Sequence, residues 1–269
     1  MSVDAIKKLF AASREHYATT HRKMLRADNL YNRRYRAEIR LPKGVPVHET
    51  STPAMLVDSL RDQIRVDEPK VSALAFGKSK QAKTSAELQQ MWGQSIMLGA
   101  AQDSLMDPFG QARFDLLLRG AGAVKWNAKD DHVIEPEQRK GESRKDFKKR
   151  HDEWQFRMGR EQPFSLKAVD PLTLYPSPGS GPTTYMLEVQ ERRVLDVWDR
   201  YPAWSDPKAK HLSPEQRDNP LRPVKWMSYW SWHWDTSGQK WEGEYVVLVD
   251  DEPVIEKDNP YRQVPYAFS

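Results

Sequence analysis

The sequence predicts an α+β protein in which helices pack on an antiparallel β-meander. Apolar residues recur near helical spacing in the first 35 residues and again between residues 84 and 120. Short alternating strands separated by turn residues fill the end of the chain, from residue 225 onward. These patterns together indicate helices in the first part and a small sheet in the last part.

The first region, residues 1–52, is predicted as a basic helix followed by an extended arm. A narrow apolar stripe predicts a helix over residues 4–35, lying on a surface. The stripe consists of Ile6, Leu9, Phe10, Tyr17, Met24, Tyr31 and Tyr35. Residues 41–53 contain three prolines and no periodicity, which favours an extended arm or loop.

The second region, residues 53–136, is predicted as a helical part with short strands. A short helix is expected from Pro53, entered through a proline in its first turn and capped by Ser51 or Thr52. The stretch VDEPKVSALAF, residues 66–76, is predicted as an edge strand because it contains a proline.

A long helix is predicted over residues 84–120, opening at Thr84 or Ser85 as a capping residue. The Asp107–Pro108 step is expected to kink or divide this helix, because proline cannot continue the hydrogen-bond ladder. Gly120 ends it, and AVKWNA follows as a strand.

The third region, residues 137–162, is highly charged and is predicted as an inserted surface helix. The fourth region, residues 163–269, is predicted to be rich in strands. Within it, TTYMLEVQE alternates Tyr185, Leu187 and Val189 with polar residues, which is typical of a half-buried strand.

A second short helix and a meander complete the fourth region. Val194, Val197 and Tyr201 recur at helical spacing before Pro202, and residues 205–223 are polar and rich in proline, which favours a loop. The meander is predicted to turn at Thr236-Ser237-Gly238 and at Asp250-Asp251-Glu252.

The composition suggests a subunit that completes its burial against neighbours, or an elongated molecule. Hydrophobic residues make up 38% of the 269 residues and charged residues 30%, with a mean hydropathy of −0.81. There is no cysteine, which excludes disulfides, thiolate metal sites and a cysteine nucleophile. No run of about 18 apolar residues occurs, so no membrane partner is expected.

Positive charge is concentrated at the N-terminus. Residues 1–40 contain ten basic and four acidic residues, a balance of +6 that leaves −2 for the rest of the chain. Such a surface can contact nucleic acid phosphates or an acidic partner, although most charged runs are simply solvated. The candidate contact residues are Arg22, Lys23, Arg26, Arg33 and Arg34.

No motif predicts catalysis, a metal site or a cofactor. FGKSK lacks the first glycine of a phosphate-binding loop, because Ser72 stands five residues before Gly77. His16 and His21 are five residues apart, which turns them away from a common helix face. No G-x-S-x-G sequence occurs. A hydrolase with an unrecognised carboxylate pair stays open as a minor alternative.

Tryptophan is concentrated near the end of the chain. Trp230, Trp232 and Trp234 occupy alternate positions, so a continuous strand would place all three on one face. Sheet packing or a subunit interface is the favoured use, with a carbohydrate- or nucleic-acid-binding module as the alternative. The candidate residues are Trp226, Trp230, Trp232, Trp234 and Trp241.

The order of several segments is similar to that in a known family. The segments are LYNRRYRAEI, SLRDQIRVDEPKV, VDPLTLYPSPG, TYMLEVQERRVLDVWDRYPAW and YVVLVDDEPVIEKDNPYRQVPYAF. In this order they resemble the portal (head-to-tail connector) proteins of tailed bacteriophages, in the branch found in phages of actinobacteria. That family commonly carries NPYG-x-VPY, and Arg262 stands where glycine is usual.

The resemblance implies a structural role. It implies a wing-like domain and a ring, usually of twelve subunits, at one vertex of the virion capsid after assembly in the host cytoplasm. Double-stranded DNA would pass through the ring without sequence specificity. The implied protein partners are the major capsid protein, the terminase large subunit and a head-completion or adaptor protein. No covalent chemistry is implied.

Portal proteins of this family continue into a stem, a clip and a crown. The chain is therefore expected to hold the N-terminal, wing-like half, as a fragment, a truncated product or one part of a split gene.

Overall fold

The computed structural model confirms a mixed α and β protein with antiparallel sheets. It describes residues 2–35, 50–64, 72–75, 77–102, 107–128, 136, 138, 141–158, 164–179, 181–201 and 219–269. The chain forms two compact units. The first contains Met1–Ala27 and Asp170–Tyr266, and the second contains Asp28–Val169 and Ala267–Ser269.

The elements are numbered in chain order. The helices are α1 (Val3–Tyr31), α2 (Thr52–Gln63), α3 (Lys80–Gln102), α4 (Pro108–Arg119), α5 (Arg144–Met158) and α6 (Val194–Arg200), with a 3-10 turn at Pro171–Thr173. The strands are β1 (Ala123–Ala128), β2 (Phe164–Ala168), β3 (Leu174–Pro176), β4 (Tyr185–Arg193), β5 (Pro223–Ser231), β6 (His233–Asp235), β7 (Lys240–Glu242), β8 (Glu244–Val249), β9 (Glu252–Asp258) and β10 (Tyr266–Phe268).

The first unit is built on a five-stranded antiparallel sheet with the strand order β3-β4-β5-β8-β9. One face packs against α1. The buried residues on that side are Ile6, Tyr175, Leu187, Met227, Tyr229, Val246 and Leu248. The other face packs against α6. The buried residues there are Val194, Val197, Tyr201, Val224, Trp226, Val247 and Val249.

Burial on both faces corrects the prediction for β4. Alternation predicted a half-buried strand with Tyr185, Leu187 and Val189 inward, but Met186, Leu187 and Glu188 are all buried, while Tyr185 and Val189 are only partly buried. The strand and the common face of Tyr185, Leu187 and Val189 are confirmed, but the half-buried character was wrong, because the side chains between these positions also face a covered side of the sheet.

Helix α1 ends earlier than predicted, at Tyr31 rather than residue 35. The Arg34 backbone N–H donates to the carbonyl of Asn29 at 2.7 Å. Arg33 has a φ of 57°, in the left-handed region that commonly terminates helices. The chain therefore leaves the helical path before the last predicted turn.

In the second unit, β10, β1 and β2 form a three-stranded sheet. The predicted break at the Asp107–Pro108 step is confirmed: α3 and α4 are separate, and the Asp107 carboxylate accepts from the N–H of Phe109 at 3.0 Å. Gly120 ends α4 with a φ of 76°. Gly122 and Ser269 exchange two backbone hydrogen bonds of 3.0 Å.

Three other local predictions have clear outcomes. Helix α3 begins at Lys80, before Thr84 and Ser85, because the hydroxyl of Ser79 caps it by accepting from the Ala82 N–H at 3.1 Å. The start of α2 is confirmed, although the Ser51 side chain makes no cap hydrogen bond. Of the predicted strand over residues 66–76, residues 72–75 form no strand, and residues 66–71 and 76 lie outside the described residues.

The remaining outcomes concern the charged region and the loops. The charged helix is confirmed as α5, and α6 is confirmed before Pro202. Of the predicted arm over residues 41–53, residues 41–49 lie outside the described residues and residues 52–53 belong to α2. Of the predicted loop over residues 205–223, residues 205–218 lie outside the described residues and residue 223 begins β5. Within the described part of the chain, none of the helices has the length and apolar character needed to cross a membrane.

Gly122 provides a test of the packing in the second unit. A Cβ at this position would lie 2.2 Å from the carbonyl oxygen of Ala112. Because backbone atoms must then move, Gly122→Ala should lower the free energy of unfolding by about 1–3 kcal/mol. Urea denaturation measures this loss. The same substitution at Gly181, where a Cβ meets nothing within 4 Å, is the matched control. An equal effect of both substitutions would contradict the close approach.

Candidate functional site

The predicted row of indoles is broken after Ser231. Residue 185 is the first of β4 and pairs with Ser231, the last of β5. Beyond that pair, Trp232 makes one backbone hydrogen bond to Thr184, at 2.8 Å. Because the pairing between β4 and β5 ends at Ser231, the chain leaves the sheet there and forms a separate hairpin of β6 and β7. The prediction of one continuous strand was therefore wrong.

Two of the candidate tryptophans pack inside the first unit. Trp226 is 2% exposed and Trp230 is 3% exposed. The Arg192 guanidinium lies 3.8 Å from the centre of the Trp226 ring, and the indole N–H donates to the Tyr201 hydroxyl at 3.1 Å. Trp230 stacks on Tyr245 with ring centres 3.7 Å apart. These indoles are structural contacts within the unit.

The other three tryptophans cluster on the hairpin. Trp234 lies directly opposite Trp241, with ring centres 5.7 Å apart in an edge-to-face arrangement. Trp232 stacks nearly parallel to Trp241 at 6.1 Å. Trp234 is 47% exposed and Trp241 57% exposed. Cross-strand aromatic pairs stabilise a hairpin, and these indoles also present apolar surface to solvent.

A glycine and an aspartate set the shape of the hairpin. A Cβ at Gly243 would lie 2.6 Å from the Trp232 ring, so only glycine leaves space for that indole. At the turn, the Asp235 carboxylate accepts from the N–H groups of Ser237 and Gly238 at 3.0 and 2.8 Å. Hydrogen bonds from the Ser237 hydroxyl and from these two N–H groups lower the pKa of Asp235.

A groove of about 390 Å³ lies at the base of the hairpin. It is lined by Trp232, His233, Lys240, Trp241, Glu242, Gly243, Glu244, Asp258 and Asn259. The ammonium of Lys240 lies 2.6 Å from the carboxylate of Glu242. Glu244 and Asp258 stand directly opposite each other on β8 and β9. With three carboxylates and one lysine, the lining attracts cations or sugar hydroxyls and repels phosphate.

The candidate basic residues are exposed, but they fall in two places. Arg22, Lys23 and Arg26 lie on α1 in the first unit, whereas Arg33 and Arg34 follow the end of α1 and belong to the second unit. The structure therefore brings three of the five candidates onto one helical segment.

The residues just before this basic segment pack on the sheet. His21 contacts the Tyr175 ring with centres 5.0 Å apart, and burial lowers the pKa of His21.

The segment NPYRQVPY, residues 259–266, contains side chains whose structural roles the sequence did not predict. Asn259 is buried; its amide donates to the carbonyls of Ser231 at 2.8 Å and Gln263 at 2.9 Å, and its oxygen accepts from the Tyr261 N–H at 3.0 Å. Arg262 has a φ of 52°, which glycine adopts at the least cost. The Asn259-Pro260 step, which favours a turn, was the local signal in the sequence for this segment.

The same segment ends in a partly buried polar contact. The Tyr266 hydroxyl donates to the Glu188 carboxylate at 2.6 Å, and Gln190 donates to the other carboxylate oxygen at 2.7 Å. Burial, followed by the charge of Glu188, raises the pKa of Tyr266 well above its ordinary value. Asn259 and Tyr266 thus attach the segment to β5 and β4.

Comparisons of the sequence with protein-family models and with curated proteins find no match. Among the residues that the structure describes, no group of three or more histidine, aspartate or glutamate side chains is arranged to hold a metal ion.

Tyr266→Phe should destabilise the first unit, because the buried Glu188 loses a donor. A hydrogen bond to a charged acceptor contributes about 1.5–3 kcal/mol, and urea denaturation at neutral pH should show a loss in this range.

The pH dependence provides the control. Because the folded-state pKa of Tyr266 is raised, its contribution is complete below the ordinary value of 10.0 and is lost as the pH rises through the folded-state pKa. The difference between wild type and Tyr266→Phe should therefore shrink in alkaline solution. A difference that stays constant there would contradict the buried contact.

Proposed function

We propose that this chain is the wing-like part of a portal subunit of a tailed bacteriophage. In this role, copies form a ring at one capsid vertex, which serves as the conduit for DNA packaging and ejection. The ring is also the docking site for the terminase large subunit and the head-completion or adaptor proteins, and it is held by the major capsid protein. The observation that carries the proposal is the ordered set of segments ending in NPYRQVPY.

The environment of that last segment supports a structural role for it. Asn259 holds two carbonyls, and Tyr266 reaches a buried carboxylate, so both residues contribute to packing. Arg262 occupies a left-handed backbone position, which gives a physical reason for the glycine usual there in portal proteins.

The exposed basic residues of α1 support contact with the phosphate backbone of DNA but not recognition of its bases. Arg22, Lys23 and Arg26 are exposed on α1 and can meet either phosphates, which they would contact without reading sequence, or an acidic surface of a protein partner. The phosphate contact matches the sequence-independent passage of double-stranded DNA that the proposed role requires.

A second candidate function is a carbohydrate-binding module. The exposure of Trp234 and Trp241 beside a groove is the observation that favours it, since sugars stack on indoles. The carboxylates of that groove disfavour nucleic acid, so the nucleic-acid version of this alternative has less support.

Assembly distinguishes the two functions. The chain should be imaged by negative-stain electron microscopy, both alone and after co-expression with the reading frame that follows it in the genome. If the gene is split, that reading frame encodes the stem, clip and crown. The portal proposal predicts closed rings of one uniform size in the co-expressed sample.

Glycan-array binding by the same preparations is the companion measurement. Single subunits in both samples, together with glycan binding that Trp241→Ala abolishes, would contradict the portal proposal and favour the carbohydrate module.

A further inference from the structure

We propose that copies of this chain associate head to tail, with Arg22 and Lys23 of one copy seated in the acidic, tryptophan-lined groove of the next copy. This inference rests on the proposed function, because it identifies the two surfaces that meet between neighbouring subunits of the ring.

The two surfaces lie toward opposite edges of one sheet. Tyr17 and His21 of α1 pack on Tyr175, in the edge strand β3, with ring centres 6.4 and 5.0 Å away. Arg22 and Lys23 follow immediately along the helix. The groove includes Glu244 on β8 and Asp258 on the other edge strand, β9. Four strand spacings, about 19 Å in all, separate the two edges.

The charges of the two surfaces are complementary. The groove has three carboxylates and one lysine, and that lysine already pairs with Glu242 at 2.6 Å. Glu244 and Asp258 face each other across two strands, so their negative charges add within the groove. Residues 1–40 carry a balance of +6 against −2 for the rest of the chain, so a second copy of the chain presents a surface of opposite charge to the groove.

The aromatic lining favours the same occupant. A guanidinium over the face of an indole is attracted by the ring, and Trp241 is 57% exposed at the groove. The chain already makes this contact internally, between Arg192 and Trp226 at 3.8 Å. Arg22 can therefore satisfy both the indole and the carboxylates, whereas a phosphate would be repelled.

The symmetry of such a contact suits a ring. When two different surfaces of one molecule meet, every copy keeps one free surface of each kind for the next copy. A heterologous contact of this type closes into a ring if the rotation between copies allows it and otherwise grows as a filament.

Charge reversal in the full chain tests the contact. Arg22→Glu with Lys23→Glu should raise the dissociation constant for self-association at least about tenfold, since opposite charges become like charges. Sedimentation velocity over a concentration series measures this constant. Lys7→Glu with Lys8→Glu is the matched control, because it makes the same charge change on the same helix.

A compensating change makes the test specific. Combining Arg22→Glu and Lys23→Glu with Glu244→Lys and Asp258→Lys should restore association, because the attraction is rebuilt with the signs exchanged. Thermal melting of each variant shows whether it is folded. No rescue in a folded variant, or an equal loss in the Lys7 and Lys8 control, would overturn the contact.

Cross-linking provides a second measurement. Because the sequence contains no cysteine, an introduced cysteine is the thiol that reacts with the cross-linker. Two chains with tags of different size, one with Lys23→Cys and the other with Asp258→Cys, are mixed and treated with a short bismaleimide. The contact predicts a cross-linked heterodimer. Lys23→Cys homodimers without heterodimers would overturn it, as would unlinked chains with an oligosaccharide bound at the groove.

The results separate this inference from the portal proposal. Closed rings from Arg22→Glu with Lys23→Glu, at unchanged affinity, would overturn the contact and leave the portal proposal intact. A cross-linked heterodimer without rings in the co-expressed sample would support the contact and count against the portal proposal.

Discussion

The structure of the first unit depends on the burial of one antiparallel sheet on both faces. Helix α1 covers the face that contains Leu187, and α6 covers the face that contains Trp226. Apolar burial is the main stabilising contribution in folded proteins, and a sheet enclosed on both sides gives two cores from five short strands. Packing on the two faces holds α1 and α6 against the sheet. This packing therefore also sets where the basic segment of α1 and the hairpin lie relative to the sheet.

A sheet that is buried on both faces must satisfy its buried polar groups, and the last segment of the unit satisfies two of them. Asn259 binds the carbonyl of Ser231 where the ladder of β5 ends, and Tyr266 donates to Glu188 in the centre of β4. Both contacts join residues far apart in the sequence. The hydrogen bond from Asn259 to Ser231 lies where the chain leaves the sheet. The contact that satisfies the end of β5 therefore also positions the exposed hairpin and its groove.

Periodicity and breaking residues predicted the helices, the division at Pro108 and the α+β class, because these features depend on local sequence. The half-buried strand at Leu187 and the continuous indole row failed because each depends on what covers a face and where a neighbouring strand ends. The groove could not be predicted, since Glu244 and Asp258 meet only through strand register. Arg33 ends α1 by a backbone conformation that no local pattern indicated.

The proposed ring depends on a basic helix segment and an acidic aromatic groove that lie toward opposite edges of one sheet. Single-particle cryo-electron microscopy of the co-expressed assembly tests this most directly. The account predicts a closed ring in which density for Arg22 of each subunit lies against Trp241 of its neighbour. A closed ring with that groove open to solvent, or particles of single subunits with the groove facing water, would contradict it.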